Sequence, residues 1–182
     1  HQTPNLEQLA AEGMRFSNGY SAAPNCSPSR ATILTGKSPA QLQLTDLITG
    51  ADLNGVHFQN RYLRKNLQPP IPVRSLPLGE TTTAEWIKQA QPNYATAHLG
   101  KWHVSLNYET TPDAHGFDFS SYPMSGDDWQ PSVAENPKLI FSFTYAANAF
   151  MEDRVSAEEP FFLQLSHRAP HVPVEARQST ID

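Results

Sequence analysis

Cysteine is almost absent from this chain of 182 residues, which contains only Cys26. One cysteine can form neither an internal disulfide nor a zinc site built from several thiolates. By default, a lone cysteine is a small buried hydrophobic residue. Long apolar runs are missing as well, since no segment approaches the roughly 18 apolar residues that a membrane-spanning helix needs. We therefore expect no membrane span.

Charge of either sign is scarce. Asp, Glu, Lys and Arg make up 17% of the sequence, compared with about 25% in an average globular domain. The 13 basic and 18 acidic residues give a formal net charge of −5 and include no Lys/Arg run, so nucleic acid is not an expected partner. The 16 prolines indicate many loops, but the composition is that of a globular protein and not of a disordered one.

Hydrophobic periodicity and turn residues predict helices that alternate with strands. Helices are predicted from Pro4 to Gly13, from Pro28 to Gly36 with Ser27 as N-cap, from Thr82 or Thr83 to Gln91, and within 138–155. A short strand or an extended run is predicted at 14–20, and strands are predicted at 94–103 and 160–166, the last as an apolar run buried on both faces. The stretches 39–78 and 104–134 are predicted to be irregular. Helix followed by strand, twice, predicts an α/β fold with a parallel sheet.

The first segment with chemical potential reads Cys-Ser-Pro-Ser-Arg at 26–30, at the predicted start of the second helix. Unpaired N–H groups and the helix dipole favour negative charge at such a start. Cys26 and Arg30 are four residues apart, so the guanidinium can fold back toward the sulfur atom. A nucleophile beside a fixed cation suits attack on an anionic substrate. A buried thiol beside an ordinary helix start explains the same spacing.

Two further segments place histidines at predicted strand ends. In the sequence G-K-W-H at 100–103, Lys101 and His103 point to the same face of an extended chain, opposite to Trp102. A cation and a titratable imidazole aimed at one spot suit anion binding and proton transfer. His171 lies between two prolines after the apolar strand, at the carboxyl end where open α/β sheets bind ligands. Solvent-facing Lys and His side chains, and a histidine in a turn, are the alternative interpretations.

Taken together, these segments resemble the sulfatase family, within the alkaline phosphatase-like superfamily. Residues 26–30 match the C-x-P-S-R signature and are followed by L-T-G at 34–36. Residues 94–96 (Y-A-T) and 100–103 (G-K-W-H) match the second signature. Blocks at 3–6 (T-P-N-L) and within 160–173 follow the family pattern in the same order. The resemblance covers residues 3–173 and implies an α/β sandwich with a mostly parallel central sheet flanked by helices.

The resemblance implies a sulfuric ester hydrolase whose nucleophile derives from Cys26. In this family, a formylglycine-generating enzyme oxidises that cysteine to an aldehyde, whose hydrate attacks the sulfur of a sulfate ester. By analogy, Arg30 holds the formylglycine and stabilises its charge, and Lys101 contacts its oxygen and the sulfate. His103 takes the proton that drives sulfate release, and His171 binds sulfate and helps to protonate the leaving alcohol. The implied substrate is a small-molecule or carbohydrate sulfate ester.

The resemblance also implies a divalent cation, usually Ca²⁺. The family's Asp-Asp ligand pair lies on a strand before the block at 3–6, and its other ligands and a second active-site lysine follow the block that ends at 173. Among the residues present, only Cys26, as formylglycine, is expected to contact the metal. The pair Asp127 and Asp128 follows the nucleophile in a loop context, and we interpret it as solvated.

We therefore expect residues 1–182 to be an incomplete N-terminal portion of a sulfatase catalytic domain. The upstream metal-ligand strand and the C-terminal part would be absent, and the isolated portion would be inactive or poorly folded. By family resemblance, the compartment would be periplasmic, secreted or lysosomal.

Two other functions are compatible with the sequence. Phosphonate or phosphate monoester hydrolases of the same superfamily share the nucleophile, and a non-catalytic binding domain would keep the fold with Cys26 unmodified. Histidines without ligand spacing are expected at the surface or in hydrogen bonds: His57, His98, His115 and His167. The sequon that begins at Asn25 is interpreted as unused, because a glycan there would cover Cys26.

Overall fold

The structure is a computed structural model that describes residues 3–48, 73–105, 110–121 and 134–181. The α-helices within these ranges are α1 (Pro4–Glu12), α2 (Cys26–Thr35), α3 (Thr83–Ala90), α4 (Ile140–Ser156) and α5 (Gln178–Ile181). The strands are β1 (Ala95–Gly100), β2 (Phe119–Ser121) and β3 (Phe161–Ser166). Short 3₁₀ helices occupy Asp113–His115 and Pro137–Leu139.

The three strands form a parallel sheet in the order β2-β1-β3. In register, Ala97 of β1 lies opposite Phe119 of β2 and Leu163 of β3. Parallel strands need crossover connections, which place helices on the faces of the sheet. This arrangement confirms the predicted α/β fold with a parallel sheet and flanking helices.

Alternation along β1 divides the core between the two faces of the sheet. Leu99 packs with Phe143 and Ala147 of α4 on one face. The larger cluster on the other face joins α2 and α3 to residues of the segments between them and after β1: Ala31, Leu34, Leu42, Leu44, Ile48, Leu76, Ala84, Trp102, Val104 and Phe117. All six residues of β1 are buried, so β1 is a fixed platform for the residues that follow it.

The start of α3 and the end of α2 agree with the predicted signals. Thr82 caps α3, because its hydroxyl accepts from the N–H of Glu85 at 3.3 Å and the Glu85 carboxylate accepts from the N–H of Thr82 at 2.7 Å. This reciprocal pair is a capping box. At the end of α2, Gly36 has φ +70° and its N–H donates to the carbonyl of Thr32 at 2.8 Å.

The structure differs from the predictions at residues 14–20, at β2 and in the burial of β3. Residues 14–20 form no strand, and the side chains of Met14, Phe16 and Tyr20 are exposed. β2 lies inside the stretch predicted to be irregular; it was missed because a three-residue strand shows no alternation. β3 is half-buried and not buried on both faces, since among the described residues it pairs only with β1.

Other expectations fall outside the described residues, namely most of the irregular stretch 39–78, His57, and the pair Asp127 and Asp128. Within the described ranges, no helix combines the length and the apolar character that crossing a membrane requires.

Candidate active site

The predicted site residues converge where the start of α2 meets the carboxyl ends of β1 and β3. Parallel α/β sheets bind ligands at this edge. A cleft of about 500 Å³ opens beside Cys26. Residues of α2, the loop before it and β3 line this cleft: Ser21, Ala23, Pro24, Asn25, Cys26, Ser29, Arg30, Ile33, Gln164 and Ser166.

Cys26 is the first residue of α2, with Asn25 at the N-cap position. The prediction that Ser27 caps this helix is wrong, because Ser27 lies inside the helix and its buried hydroxyl accepts from the N–H of Ile48 at 3.1 Å. The Cys26 thiol is free and half-buried. Its position places the sulfur atom at the positive end of the α2 dipole.

Arg30 connects the first sequence motif with the second. Its Nη1 donates to the carbonyl oxygen of Lys101 at 2.5 Å. Burial lowers the pKa of the guanidinium, and the electrostatic interaction with Cys26 opposes that shift. Arginine remains charged in proteins because its ordinary pKa is above about 12, so Arg30 is a fixed cation beside Cys26.

Lys101 is held by the backbone turn that ends β1. Gly100 adopts φ +97°, and a Cβ at this position would lie 2.2 Å from the carbonyl oxygen of Ser166. The N–H of Lys101 then donates to that same oxygen at 2.8 Å. Only glycine tolerates both the left-handed conformation and this close approach. The turn directs the lysine side chain inward, where it is only 5% exposed.

The charge on Lys101 depends on its neighbours. Burial lowers the pKa of its ammonium group most strongly, and the cations Arg30 and Arg168 lower it further. The charge of Cys26 and a hydrogen bond to its sulfur atom act in the opposite direction. The cluster of three cations therefore favours an anion at Cys26 or in the adjoining cleft.

His103 lies beside Lys101 but not in extended chain. Its φ is +56°, so the predicted strand does not continue to this residue. His103 Nε2 lies 2.8 Å from the carbonyl oxygen of Ile48. Its Nδ1 is buried and has no hydrogen-bond partner among the described residues. Burial, followed by the charge of Lys101, lowers the pKa of His103 to about 4, so the ring is neutral near pH 7.

His171 is exposed, unlike the other four predicted residues. Its Nδ1 lies 2.8 Å from the carbonyl oxygen of Val172. It is near enough to His103 for its charge to contribute to the lowered pKa of that ring. The structure thus gathers Cys26, Arg30, Lys101 and His103, with His171 outside the buried group.

Sequence reasoning missed several residues of this region. Gln164 and Ser166 line the cleft, and their spacing of two within an apolar strand was the available signal. Arg168 adds a cation near Lys101 but belongs to no quoted motif. The expectation that His98 is at the surface or hydrogen-bonded is wrong, because its ring is 1% exposed and neither nitrogen has a hydrogen-bond partner in the described part of the chain.

The described residues do not by themselves form a cation site. Within residues 3–48, 73–105, 110–121 and 134–181, no three His, Cys, Asp or Glu side chains are grouped so that they could hold a metal ion. The Ca²⁺ implied by the family resemblance does not fit these residues alone, and we derive no reaction step through it.

Comparisons with known proteins agree with this fold. The sulfatase family model matches residues 1–181, and the chain therefore belongs to the sulfatase family. Human N-acetylgalactosamine-6-sulfatase is 38% identical over 201 aligned residues, which cover 96% of this chain and 36% of that protein. Rat arylsulfatase G is 36% identical over 126 residues, or 69% of this chain and 20% of the relative.

Among solved structures, that of Ps i-CgsB superposes with a TM-score of 0.71 at 26% identity, covering 97% of this chain and 42% of the other. A structural match of this extent supports the alkaline phosphatase-like fold. The chain spans about a third of the length of the N-acetylgalactosamine-6-sulfatases that it matches.

Proposed function

We propose that this chain forms part of a sulfuric ester hydrolase that uses Cys26 as the precursor of its nucleophile. The observation that carries the proposal is the position of Cys26, which is half-buried at the start of α2 and opens to a cleft. Arg30 and Lys101 place positive charge beside it. A thiol that served only for packing would need neither the cleft nor the cations.

The proposal includes conversion of Cys26 to formylglycine by a formylglycine-generating enzyme. The surroundings of Cys26 fit a formylglycine at this position. The oxygen atoms of the formylglycine would lie near the Lys101 ammonium group, which interacts with the sulfur atom of Cys26. Hydrated formylglycine supplies a hydroxyl nucleophile for attack at the sulfur of a sulfate ester. Donors that are already fixed at a site of developing charge stabilise a transition state without reorganisation.

The other site residues of this chain have separate roles in the proposed reaction. Arg30 and Lys101 bind the sulfate group and stabilise negative charge in the cleft. His103, which is neutral near pH 7 because its pKa is about 4, accepts a proton at Nδ1, which has no hydrogen-bond partner among the described residues. His171, exposed beside this group, binds sulfate and donates a proton to the leaving alcohol. These roles follow the family resemblance and the contacts described above.

We further propose that the substrate is a carbohydrate sulfate ester. The name of the human relative refers to N-acetylgalactosamine 6-sulfate chemistry, and Ps i-CgsB has been solved in complex with k-i-k-neocarrahexaose. Ca²⁺, which the family resemblance implies, belongs to the proposal as well, with the side chain derived from Cys26 as one contact.

The full-length protein that contains this chain is the material for the test, produced with and without a formylglycine-generating enzyme. Mass spectrometry of the tryptic peptide 16–30 should find formylglycine at position 26 only with the enzyme. Sulfate should then be released from an aryl sulfate and from a sulfated hexosamine, and Cys26→Ala should abolish the release.

Each opposing result has a distinct meaning. An unmodified thiol at Cys26 in the presence of the modifying enzyme would favour a non-catalytic binding domain. Faster hydrolysis of a phosphonate monoester than of the matched sulfate ester would favour the phosphonate hydrolase branch. Either result would overturn the proposal of a sulfatase.

A further inference from the structure

The two residues that flank Cys26 both bind one short stretch of backbone, which we call the 46–48 segment. Asn25 Nδ2 donates to Asp46 Oδ1 at 3.1 Å, and that carboxylate oxygen also accepts from the N–H of Leu47 at 2.7 Å. On the other side, the Ser27 hydroxyl accepts from the N–H of Ile48 at 3.1 Å. The first turn of α2 therefore fixes the 46–48 segment on both sides of the nucleophile position.

The other end of Ile48 reaches the second motif. The carbonyl oxygen of Ile48 lies 2.8 Å from His103 Nε2. A carbonyl oxygen has no proton to give, so Nε2 must carry the hydrogen and donate it. In a neutral imidazole, Nδ1 is then the unprotonated nitrogen. One hydrogen bond thus selects the tautomer of His103.

Burial makes this selection effective. The His103 side chain is 6% exposed, and its Nδ1 has no hydrogen-bond partner among the described residues. Water therefore competes little for either nitrogen. The Ile48 side chain is also buried, in the core cluster on the α2 face of the sheet, so the acceptor carbonyl is anchored by packing as well as by Ser27.

We propose that Ser27 is a positioning residue for His103. Its hydroxyl holds the backbone of Ile48, Ile48 fixes the Nε2–H tautomer of His103, and Nδ1 is thereby left as the nitrogen that accepts a proton. Because Ser27 follows Cys26 directly on α2, the nucleophile and the proton acceptor are positioned by the same helical turn. The proton-accepting role rests on the proposed function, whereas the tautomer does not.

A purely structural role for Ser27 makes a different prediction. If the hydroxyl only satisfied a buried N–H group, its loss would reduce stability and leave the tautomer of His103 unchanged. The spectroscopic signature of the ring nitrogens therefore distinguishes the two roles.

The experiment uses the full-length protein with ¹⁵N-labelled histidine, and it records long-range ¹H–¹⁵N spectra at neutral pH. His103 is assigned by comparison with His103→Gln. In the wild type we expect a protonated Nε2 and an unprotonated Nδ1. In Ser27→Ala, we expect a measurable Nδ1–H population and faster hydrogen exchange at the Ile48 amide. Ser27→Thr, which retains the hydroxyl, should restore the wild-type spectrum.

Turnover of an aryl sulfate gives the second readout. Ser27→Ala should lower kcat about tenfold with little change in KM, the size expected when one hydrogen bond that orients a catalytic group is lost. Thr82→Ala is the matched control, because it removes an equally buried hydroxyl at the start of α3. It should reduce thermal stability without changing the His103 spectrum.

Several results would overturn the proposal. A protonated Nδ1 in the wild type would do so even if Ser27→Ala failed to fold. An unchanged His103 spectrum in a folded Ser27→Ala variant would do so as well. Absence of sulfate hydrolysis in a wild-type protein with the expected spectra would contradict the proposed function, and it would leave the assigned tautomer standing.

Discussion

Arg30 Nη1 donates to the carbonyl oxygen of Lys101 at 2.5 Å, across a sequence separation of 71 residues. This bond ties the α2 turn that carries Cys26 to the backbone turn that follows β1. The guanidinium acts in two ways, since it also supplies positive charge next to Cys26. The two sequence motifs are therefore one structural unit, and changes to either should affect both.

Arg30→Lys should separate these two contributions. Lysine keeps the positive charge but lacks the planar fork of donors that reaches the Lys101 carbonyl. We expect kcat for an aryl sulfate to fall roughly 10²-fold, the scale seen when one preorganised donor is lost from an oxyanion site.

The matched control for Arg30→Lys is Arg154→Lys on α4, where the arginine pairs with the exposed carboxylates of Asp153 and Glu159. Surface pairs of this kind contribute little, so kcat should not change. Equal activity of Arg30→Lys and wild type would contradict the positioning role of the guanidinium.

Gly100→Ala should destabilise the protein strongly. The new Cβ would lie 2.2 Å from the Ser166 carbonyl oxygen, on a backbone with φ +97°, so the collision adds to the cost of the left-handed conformation. We expect a loss of more than about 3 kcal/mol in the free energy of unfolding, at the upper end of point-mutation effects.

Gly36→Ala is the control for this collision. Gly36 also has positive φ, but a Cβ there would meet nothing within 4 Å. Its cost should be limited to the left-handed conformation, about 1–2 kcal/mol. Urea unfolding of both variants measures the two losses in unfolding free energy. Equal losses would show that the Ser166 backbone moves to accommodate the methyl group introduced by Gly100→Ala.

The buried ring of His98 should make the protein sensitive to acid. It lies edge-on to Trp102 and Phe117, with ring centroids 5.0 and 5.5 Å apart. Burial, followed by the charge of Arg30, lowers the pKa of His98 to about 3. Below the unfolded-state pKa of about 6.5, the unfolded chain takes up a proton that the folded chain excludes, so stability falls as pH falls toward 3.

His98→Phe removes this proton uptake and keeps an aromatic ring. When the pH is lowered from 7.5 to 5, the unfolding free energy of the wild type should fall by about 2 kcal/mol more than that of the variant. Urea unfolding at both pH values measures the change. Parallel pH profiles for the two proteins would mean that the folded state accommodates a protonated His98.

The sequence predicted the structure best where a few neighbouring residues determine it through local hydrogen bonds or regular alternation. Thr82 or Thr83 predicted the start of α3 because a threonine hydroxyl can accept from a free N–H group in the first helical turn; the structure selects Thr82 and adds Glu85 as the reciprocal partner. The parallel sheet followed from helix–strand alternation. The resemblance to the sulfatase family grouped the motif residues, and Cys26, Arg30, Lys101 and His103 do lie close together, at the start of α2 and after the end of β1.

The remaining features depend on long-range packing, which local patterns do not encode. His98 was expected at the surface or in a hydrogen bond, but β1 lies between the other two described strands and carries His98 into the core beside Trp102. Nothing near Ser27 or His103 in the sequence indicates that Ile48 lies between them. The left-handed turn at Gly100 likewise depends on Ser166 of β3, which lies 66 residues further along the chain.

His103→Ala tests the proton-accepting role directly. Loss of a general base typically costs 10²- to 10⁴-fold in rate, so we expect kcat to fall by roughly that amount, with formylglycine at position 26 still formed. His167→Ala serves as the control, because this half-buried histidine follows β3 but has no part in the proposed reaction. The wild type should retain activity down to acidic pH, since a base with a pKa of about 4 stays unprotonated well below neutrality. If His103→Ala kept wild-type turnover while His167→Ala lost it, the proton acceptor would have to be reassigned to the β3 side of the cleft.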